Sequence, residues 1–129
     1  MDARPSPWFW PWLLQRLTGV ALVALLIVHI AVNQFGNLGK DLRHTDLILF
    51  SDVAARLESA LWWLFDAALL ACALFHGLNG IRNIALDLGA RGRVAGAVTA
   101  LLTVVGLVGL AFGLLTLYAF RHYPVHHGR

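Results

Sequence analysis

Cysteine, charge and internal proline are all scarce in this sequence of 129 residues. The single cysteine, Cys72, excludes an intrachain disulfide and a cysteine-rich metal site. Only 13% of the residues are charged, whereas about a quarter are charged in soluble domains. The sequence contains no run of Lys or Arg of the kind that would indicate a nucleic-acid partner. Apolar residues make up 59% of the chain, which is more than one small soluble core can bury. The composition therefore disfavours a soluble globular enzyme.

Three long apolar segments dominate the chain, at about 17–32, 60–86 and 94–120. A helix needs roughly 20 apolar residues to cross ~30 Å of hydrocarbon, and a spanning segment must satisfy its own backbone hydrogen bonds. No proline between Pro11 and Pro124 interrupts these segments. We therefore predict an all-α membrane protein with a single domain over residues 1–129 and three transmembrane helices at about 13–36, 58–88 and 93–120.

The segments between the predicted helices give a weak indication of topology. A short basic turn at 89–93 joins the second and third helices, which favours a cytoplasmic N-terminus because compact basic loops resist translocation. The charged segment 39–58 joins the first and second helices, and its apolar stretch 47–50 is expected on the membrane surface. Asp66 follows a group of aromatic residues typical of the headgroup level, so we predict a carboxylate near the membrane edge that still reaches water.

His29 and His76 are the two ionisable residues that lie deepest in the predicted spans. Ionisable groups at membrane depth are costly and usually functional. A single such histidine could simply hydrogen-bond a neighbouring helix. Two of them in separate helices favour ligation of a cofactor, because axial histidine ligation is a standard way to hold haem iron.

Polar residues around His76 share one helix face, which must meet protein or a cofactor rather than lipid. His29 lies 13 residues after Arg16, about 20 Å along a helix, and His76 lies 11 residues before Asp87, about 16 Å. If Arg16 and Asp87 mark the same membrane surface, the two histidines lie at similar depth. That spacing permits one haem clamped between them, and it equally permits two haems, each completed by a histidine of another chain.

Two motifs resemble a known family. Residues 13–35 resemble the first helix of the cytochrome b membrane anchors of succinate dehydrogenase and fumarate reductase, with R-L-T-G from Arg16 and H-x-x-V-N-x-F from His29. Residues 76–87 resemble the second-helix motif H-x-x-x-G-[IL]-R-x-x-x-x-D. With the connecting loop and the uncharged third helix, the resemblance covers about residues 12–120.

This resemblance implies half of a haem-binding helical bundle, embedded in the lipid bilayer of a bacterial or archaeal cell. The expected cofactors are haem b, two per complex in diheme members, and quinone. The expected partners are a second membrane anchor subunit, an iron–sulfur subunit and a flavoprotein subunit, so the chain has no catalytic activity alone. In the family, the residue at the position of His76 is the proximal haem ligand, and the residue at the position of His29 is the distal ligand in diheme members. The resemblance also implies that Arg16, Arg82 and Asp87 bind cofactors.

The chain departs from the family pattern at two positions linked to the quinone site. Trp12 stands where members with a ubiquinone site near the iron–sulfur subunit often have serine, and Leu88 stands where the partner chain has tyrosine. From its position alone, Arg16 is also typical of an ordinary snorkelling anchor. Two alternatives therefore stay open: a structural membrane adaptor without a redox centre, and a b-type cytochrome with one haem between His29 and His76.

Overall fold

The computed structural model describes residues 9–35 and 50–122, which form four helices. α1 spans Phe9–Phe35, α2 spans Phe50–Glu58, α3 spans Ala60–Asp87 and α4 spans Gly92–Arg121. α1 begins four residues before the predicted start. Pro11 lies in its first turn, where the missing proline N–H would have no helical partner in any case, so this proline does not delay the helix.

Three of these helices are long and apolar enough to cross a membrane. α1, α3 and α4 have 27, 28 and 30 residues, which makes each about 40–45 Å long and longer than the ~30 Å hydrocarbon layer. Large apolar side chains such as Val20, Ile84 and Phe112 lie exposed on their surfaces, as expected for groups that face lipid. The chain is therefore an integral membrane protein, as its composition predicted.

α3 is the central helix: it packs against α1 on one side and α4 on the other. Within residues 9–35 and 50–122, α1 and α4 do not pack on each other. Close approach of α3 and α4 depends on glycine, because a Cβ added at Gly106 would lie 2.8 Å from Leu78 Cδ1, and one at Gly113 would overlap Leu70. Gly109, where an added Cβ would lie 3.5 Å from Leu74 Cδ2, and Gly113 form a G-x-x-x-G pair in α4, a spacing typical of close helix–helix packing.

The two ends of the helix bundle differ. At one end, called the turn end here, α3 stops at Asp87 and α4 starts at Gly92. Gly89 has φ +100°, and hydrogen bonds from Gly89 N to Leu86 O and from Ala90 N to Ala85 O, both 3.0 Å, close a Schellman motif. The basic segment 89–93 is therefore the tight turn that the sequence predicted.

The opposite end, called the α2 end, contains a helix that the sequence did not predict. α2 packs against α3 and α4 and buries Ala54 and Leu57, which are 0% and 2% exposed. Ser59 separates α2 from α3 with an extended backbone. The predicted apolar surface segment 47–50 lies outside the described residues except for Phe50, the first residue of α2.

Candidate functional site

The His76 side chain lies between α3 and α1, toward the turn end. Its Nδ1 atom is 3.1 Å from the Gln15 carbonyl oxygen and 3.4 Å from Thr18 Oγ1. The ring packs on Gly19, where an added Cβ would lie 3.0 Å from His76 Cε1. Because a carbonyl oxygen can only accept, Nδ1 holds the proton of that hydrogen bond and Nε2 holds the lone pair. In the described part of the chain, Nε2 has no hydrogen-bond partner.

Gln15 links α1 to the polar face of α3 around His76. Its Nε2 donates to the His76 carbonyl oxygen at 3.1 Å, and its Oε1 accepts from Asn79 Nδ2 at 2.7 Å. Gly80 lies beside the same amide, since an added Cβ would be 3.5 Å from Gln15 Nε2. This part of the polar face therefore meets protein rather than lipid, as the helical spacing predicted.

A second polar group, the His29 cluster, joins three helices at the α2 end; it comprises His29, Asn33, Arg56 and Asp66. His29 Nδ1 and Arg56 Nη2 each lie 3.1 Å from a different oxygen of the Asp66 carboxylate. Arg56 Nη1 donates to Asn33 Oδ1 at 2.8 Å, and Asn33 Nδ2 donates to the His29 carbonyl oxygen at 2.9 Å. The cluster thus connects the end of α1 to α2 and to the first turns of α3.

The prediction of Asp66 as a water-reaching edge residue is wrong. Its side chain is only 9% exposed, and the Arg56 side chain beside it is 14% exposed. The reason is α2, which covers this end of α3 and brings a guanidinium to the carboxylate. A buried carboxylate is tolerated when a cation and hydrogen bonds compensate for the lost water, and both are present here.

His29 and His76 do not lie at similar depth. α1 and α3 are antiparallel, with Gly19 opposite His76 and His29 opposite Asp66. The two histidines are therefore separated by roughly ten residues along the helix pair, or about 15 Å. Histidine nitrogens bind metals at about 2 Å, so this chain cannot offer both rings to one iron. The alternative with one haem between His29 and His76 is incompatible with this geometry.

The depth prediction failed because Arg16 and Asp87 do not mark the same level. Arg16 lies seven residues inside α1 and, by the register at Gln15, is opposite the region of Asn79, about 12 Å from the end of α3. Its guanidinium stacks on Trp12, with Cζ 4.5 Å from the ring centroid. Asp87 is exposed at the last position of α3. The structure does not bring these two predicted residues together.

Arg82, the third residue assigned through the resemblance, lies on the side of α3 that faces α4. Its Nε donates to Thr99 Oγ1 at 3.0 Å, and Thr99 in turn donates to the Ala95 carbonyl oxygen at 2.8 Å. Arg82 lines a cavity between the helices that neither histidine lines. Asn79, which bonds Gln15 of the His76 site, lines the same cavity, so this cavity adjoins the His76 site.

Both imidazoles fit axial ligation of a metal-bound macrocycle. Each engages Nδ1 with an oxygen of the protein and leaves Nε2 without a hydrogen bond among the described residues. This is the arrangement in which a second partner fixes the orientation of a ligating histidine and raises its basicity. No group of three or more His, Cys, Asp or Glu side chains that could hold a metal ion occurs in the described ranges. A single histidine per metal suits haem and does not suit a structural zinc site.

Sequence reasoning missed the roles of Gln15 in the His76 site and of Arg56 and Asp66 in the His29 cluster. A signal for the pair existed: an aspartate inside an apolar helix requires a nearby cation, and Arg56 is the first basic residue before it. Gln15 gave a weaker signal, since it lies seven and fourteen residues from Leu22 and His29, on the face that α3 covers.

Comparison with known proteins gives consistent matches. The family model described as "Succinate dehydrogenase/Fumarate reductase transmembrane subunit" matches residues 4–116. The chain is 32% identical to the succinate dehydrogenase hydrophobic membrane anchor subunit of Archaeoglobus fulgidus over 108 residues, which are 84% of this chain and 86% of the relative. It is 38% identical to the Halobacterium salinarum protein of the same name over 65% of this chain. It is 29% identical to succinate dehydrogenase 2 membrane subunit SdhC of Mycobacterium tuberculosis over 69% of this chain. Each of these two matches spans 60% of the relative's length.

Proposed function

The chain belongs to the family of succinate dehydrogenase and fumarate reductase transmembrane subunits and is a membrane anchor subunit of succinate dehydrogenase, and from this premise we propose that it binds haem b through His29 and His76. It passes electrons between the iron–sulfur subunit and a quinone in the membrane. Each histidine serves a different haem, and a histidine of a second anchor subunit completes each pair of ligands. The remaining partner is the flavoprotein subunit.

The observation that carries this proposal is that both imidazoles are held by an oxygen at Nδ1 and have no hydrogen bond at Nε2 among the described residues. His76 donates Nδ1–H to the Gln15 carbonyl, and His29 Nδ1 faces the Asp66 carboxylate at 3.1 Å. Both contacts select the tautomer with the lone pair on Nε2, which is the form that binds iron. Bound haem supplies reversible one-electron transfer, which the side chains of this chain cannot provide.

The protein surrounds the two histidine rings with different chemical groups. Gln15, Thr18 and Gly19 contact the His76 ring with uncharged groups. At His29, the Asp66 carboxylate hydrogen-bonds the ring and Arg56 balances its charge. Hydrogen bonding and charge near an axial ligand tune the potential of a haem. The two haems are therefore expected to have different reduction potentials.

The separation of the two histidines supports a path for electrons across the membrane. His76 lies nearer the turn end and His29 nearer the α2 end, about 15 Å apart along the helices. With a cytoplasmic N-terminus, the turn end faces the cytoplasm, where the iron–sulfur subunit docks. Arg16 and Asp87 belong to this half of the chain, at different levels. In this proposal Arg16 assists quinone binding, and Asp87 supplies a group with an exchangeable proton nearer the membrane surface.

An absorption spectrum of the purified complex tests the proposal. We expect a reduced b-type α band, and we expect His29→Ala and His76→Ala each to lower the haem-to-protein ratio to about half, with the remaining haem at a different potential in each variant. His122→Ala is the matched control, because the His122 side chain is exposed and interacts with Tyr118, one turn earlier in the same helix.

Two results would contradict the proposal in different ways. Absence of a b-type band from the wild-type complex would make the chain a structural membrane adaptor, with His29 and His76 as packing residues. Loss of all haem from either single variant, with the four subunits still assembled, would contradict the assignment of the two histidines to separate haems.

A further inference from the structure

Asp66 is a buried carboxylate with a different partner on each oxygen. Its Oδ1 lies 3.1 Å from His29 Nδ1, and its Oδ2 accepts from Arg56 Nη2 at 3.1 Å. The side chains of Asp66 and Arg56 are both largely buried, so water screens neither charge effectively. The imidazole of α1, the carboxylate of α3 and the guanidinium of α2 are therefore coupled electrostatically, one to the next.

The carboxylate acts on any metal at His29 through the imidazole ring. Asp66 contacts Nδ1 and leaves Nε2 for iron, and a carboxylate in that position fixes the orientation of a ligating histidine and raises its basicity. A more basic ligand stabilises oxidised iron more than reduced iron, because the oxidised ion carries the larger positive charge. The expected effect of Asp66 on a haem bound at His29 is therefore a lower reduction potential.

His76 has a weaker acceptor at the same ring atom. Its Nδ1 donates to the carbonyl oxygen of Gln15, which carries no formal charge, whereas hydrogen bonds to ionised groups are roughly twice as strong. The two imidazoles therefore differ in one ionised partner, and the haem proposed at His76 can serve as the reference for the haem proposed at His29.

Arg56 acts on the Asp66 carboxylate in the opposite sense. Its positive charge weakens the attraction of the carboxylate for the proton on His29 Nδ1, because both groups share one anion. The guanidinium is also held from two other sides: Nη1 donates to Asn33 Oδ1 at 2.8 Å, and Cζ lies 5.7 Å from the ring centroid of Trp62. Since α2 packs against α3 and α4, its packing fixes the distance between the guanidinium and the carboxylate.

We propose that Asp66 and Arg56 are positioning residues that set the reduction potential of the haem at His29, with Asp66 lowering it and Arg56 raising it. This role rests on the proposed binding of haem by His29, and it makes α2 part of the electron-transfer machinery. A purely structural pair would behave differently. Loss of either partner would then loosen the same cluster, and the two replacements would have one common effect.

A redox titration of the purified complex, followed at the b-type α band, tests this proposal. The component that is lost in His29→Ala identifies the haem at His29, and the other component is the reference in the same sample. Asp66→Asn keeps an oxygen that can accept from Nδ1 but removes the charge. Loss of such an outer partner typically changes metal affinity or activity by about 10- to 100-fold. We therefore expect the oxidised-to-reduced ratio of this haem at a fixed potential to fall about tenfold, an upward shift of about 59 mV for one electron.

Arg56→Gln should shift the same haem downward, because it leaves the full charge of Asp66 acting on His29. Arg56→Lys keeps the positive charge and should lie closer to the wild type. The double replacement Asp66→Asn with Arg56→Gln buries no unpaired charge, and it should shift the potential upward by less than Asp66→Asn alone. Glu58→Gln is the matched control, since it removes a negative charge from the exposed end of α2 and should change neither potential.

Shifts of the same sign in Asp66→Asn and Arg56→Gln would overturn the proposal. So would an unshifted potential in either variant when it is assembled with full haem, or equal shifts of both haems. These results would leave haem binding itself intact. Absence of a b-type band from the wild-type complex is a different outcome, because it contradicts the proposed function and this role together.

Discussion

Replacement of Asp66 by asparagine should be among the most destabilising single changes in this chain. Asp66 is 9% exposed and contacts both His29 and Arg56 at 3.1 Å. An asparagine side chain is nearly the same size, but it would leave the Arg56 guanidinium buried without its counter-charge. Removal of one partner from a buried ion pair typically costs about 3–5 kcal/mol. Because Asn33 still accepts from Arg56, we expect Asp66→Asn to fall near the lower value, about 3 kcal/mol.

The free energy of unfolding can be measured by titrating the chain in mixed micelles with sodium dodecyl sulfate and following its helical circular dichroism. Glu58→Gln is the matched control: it removes one negative charge from the exposed end of α2 and should change stability by less than about 0.5 kcal/mol. The decisive variant is the double replacement Asp66→Asn with Arg56→Gln. Since neutralising both partners removes the unpaired charge, the double variant should be more stable than Asp66→Asn alone.

Two outcomes would refute this reasoning. A cost below about 1 kcal/mol for Asp66→Asn would mean that the pair behaves as an exposed surface ion pair. Additive losses in the double variant would mean that the two side chains stabilise the chain independently of each other.

The helix contacts and the quinone assignment give three further predictions. Gly19→Val should displace the His76 ring and lower haem content to about half. The control Gly77→Val, with no neighbouring atom within 4 Å of its added Cβ, should retain full haem. Equal haem content in the two variants would exclude a packing role for Gly19. Gly106→Leu should cost about 1–3 kcal/mol in the detergent titration by overpacking against Leu78, and a similar loss in the uncrowded control Gly96→Leu would argue against close α3–α4 packing there. Arg16→Leu should lower quinone-linked turnover and spare succinate oxidation by an artificial acceptor, and normal turnover with both acceptors would place the quinone site elsewhere.

The sequence predicted the features that depend on local composition. Three apolar runs indicated the three spanning helices, because the requirement to satisfy the backbone inside a bilayer leaves no other structure for them. The turn at 89–93 followed from the short basic sequence between two apolar segments, and the polar face of α3 around His76 followed from helical spacing. The placement of His76 against α1 is consistent with that face.

The sequence did not predict the features that depend on the register between neighbouring helices. The depth of His29 relative to His76 requires knowing that Gly19 lies opposite His76, and periodicity within one helix does not contain that information. Likewise, the charged segment before α3 gave no indication that Arg56 turns inward, since a short amphipathic helix can lie on lipid or on protein. The buried state of Asp66 follows from that second possibility.

The closeness of Arg56 and Asp66 in the chain has a consequence for biosynthesis. The two residues are ten positions apart, and Arg56 leaves the ribosome before Asp66. A lone aspartate at the centre of a spanning helix costs about 2.5–3.5 kcal/mol during insertion into a membrane, and this value is the upper limit for Asp66, which lies in the second turn of α3. Because Arg56 of the adjoining α2 supplies the counter-charge, Asp66 can enter the bilayer as half of a neutral pair, before α3 finds α1 or any other subunit.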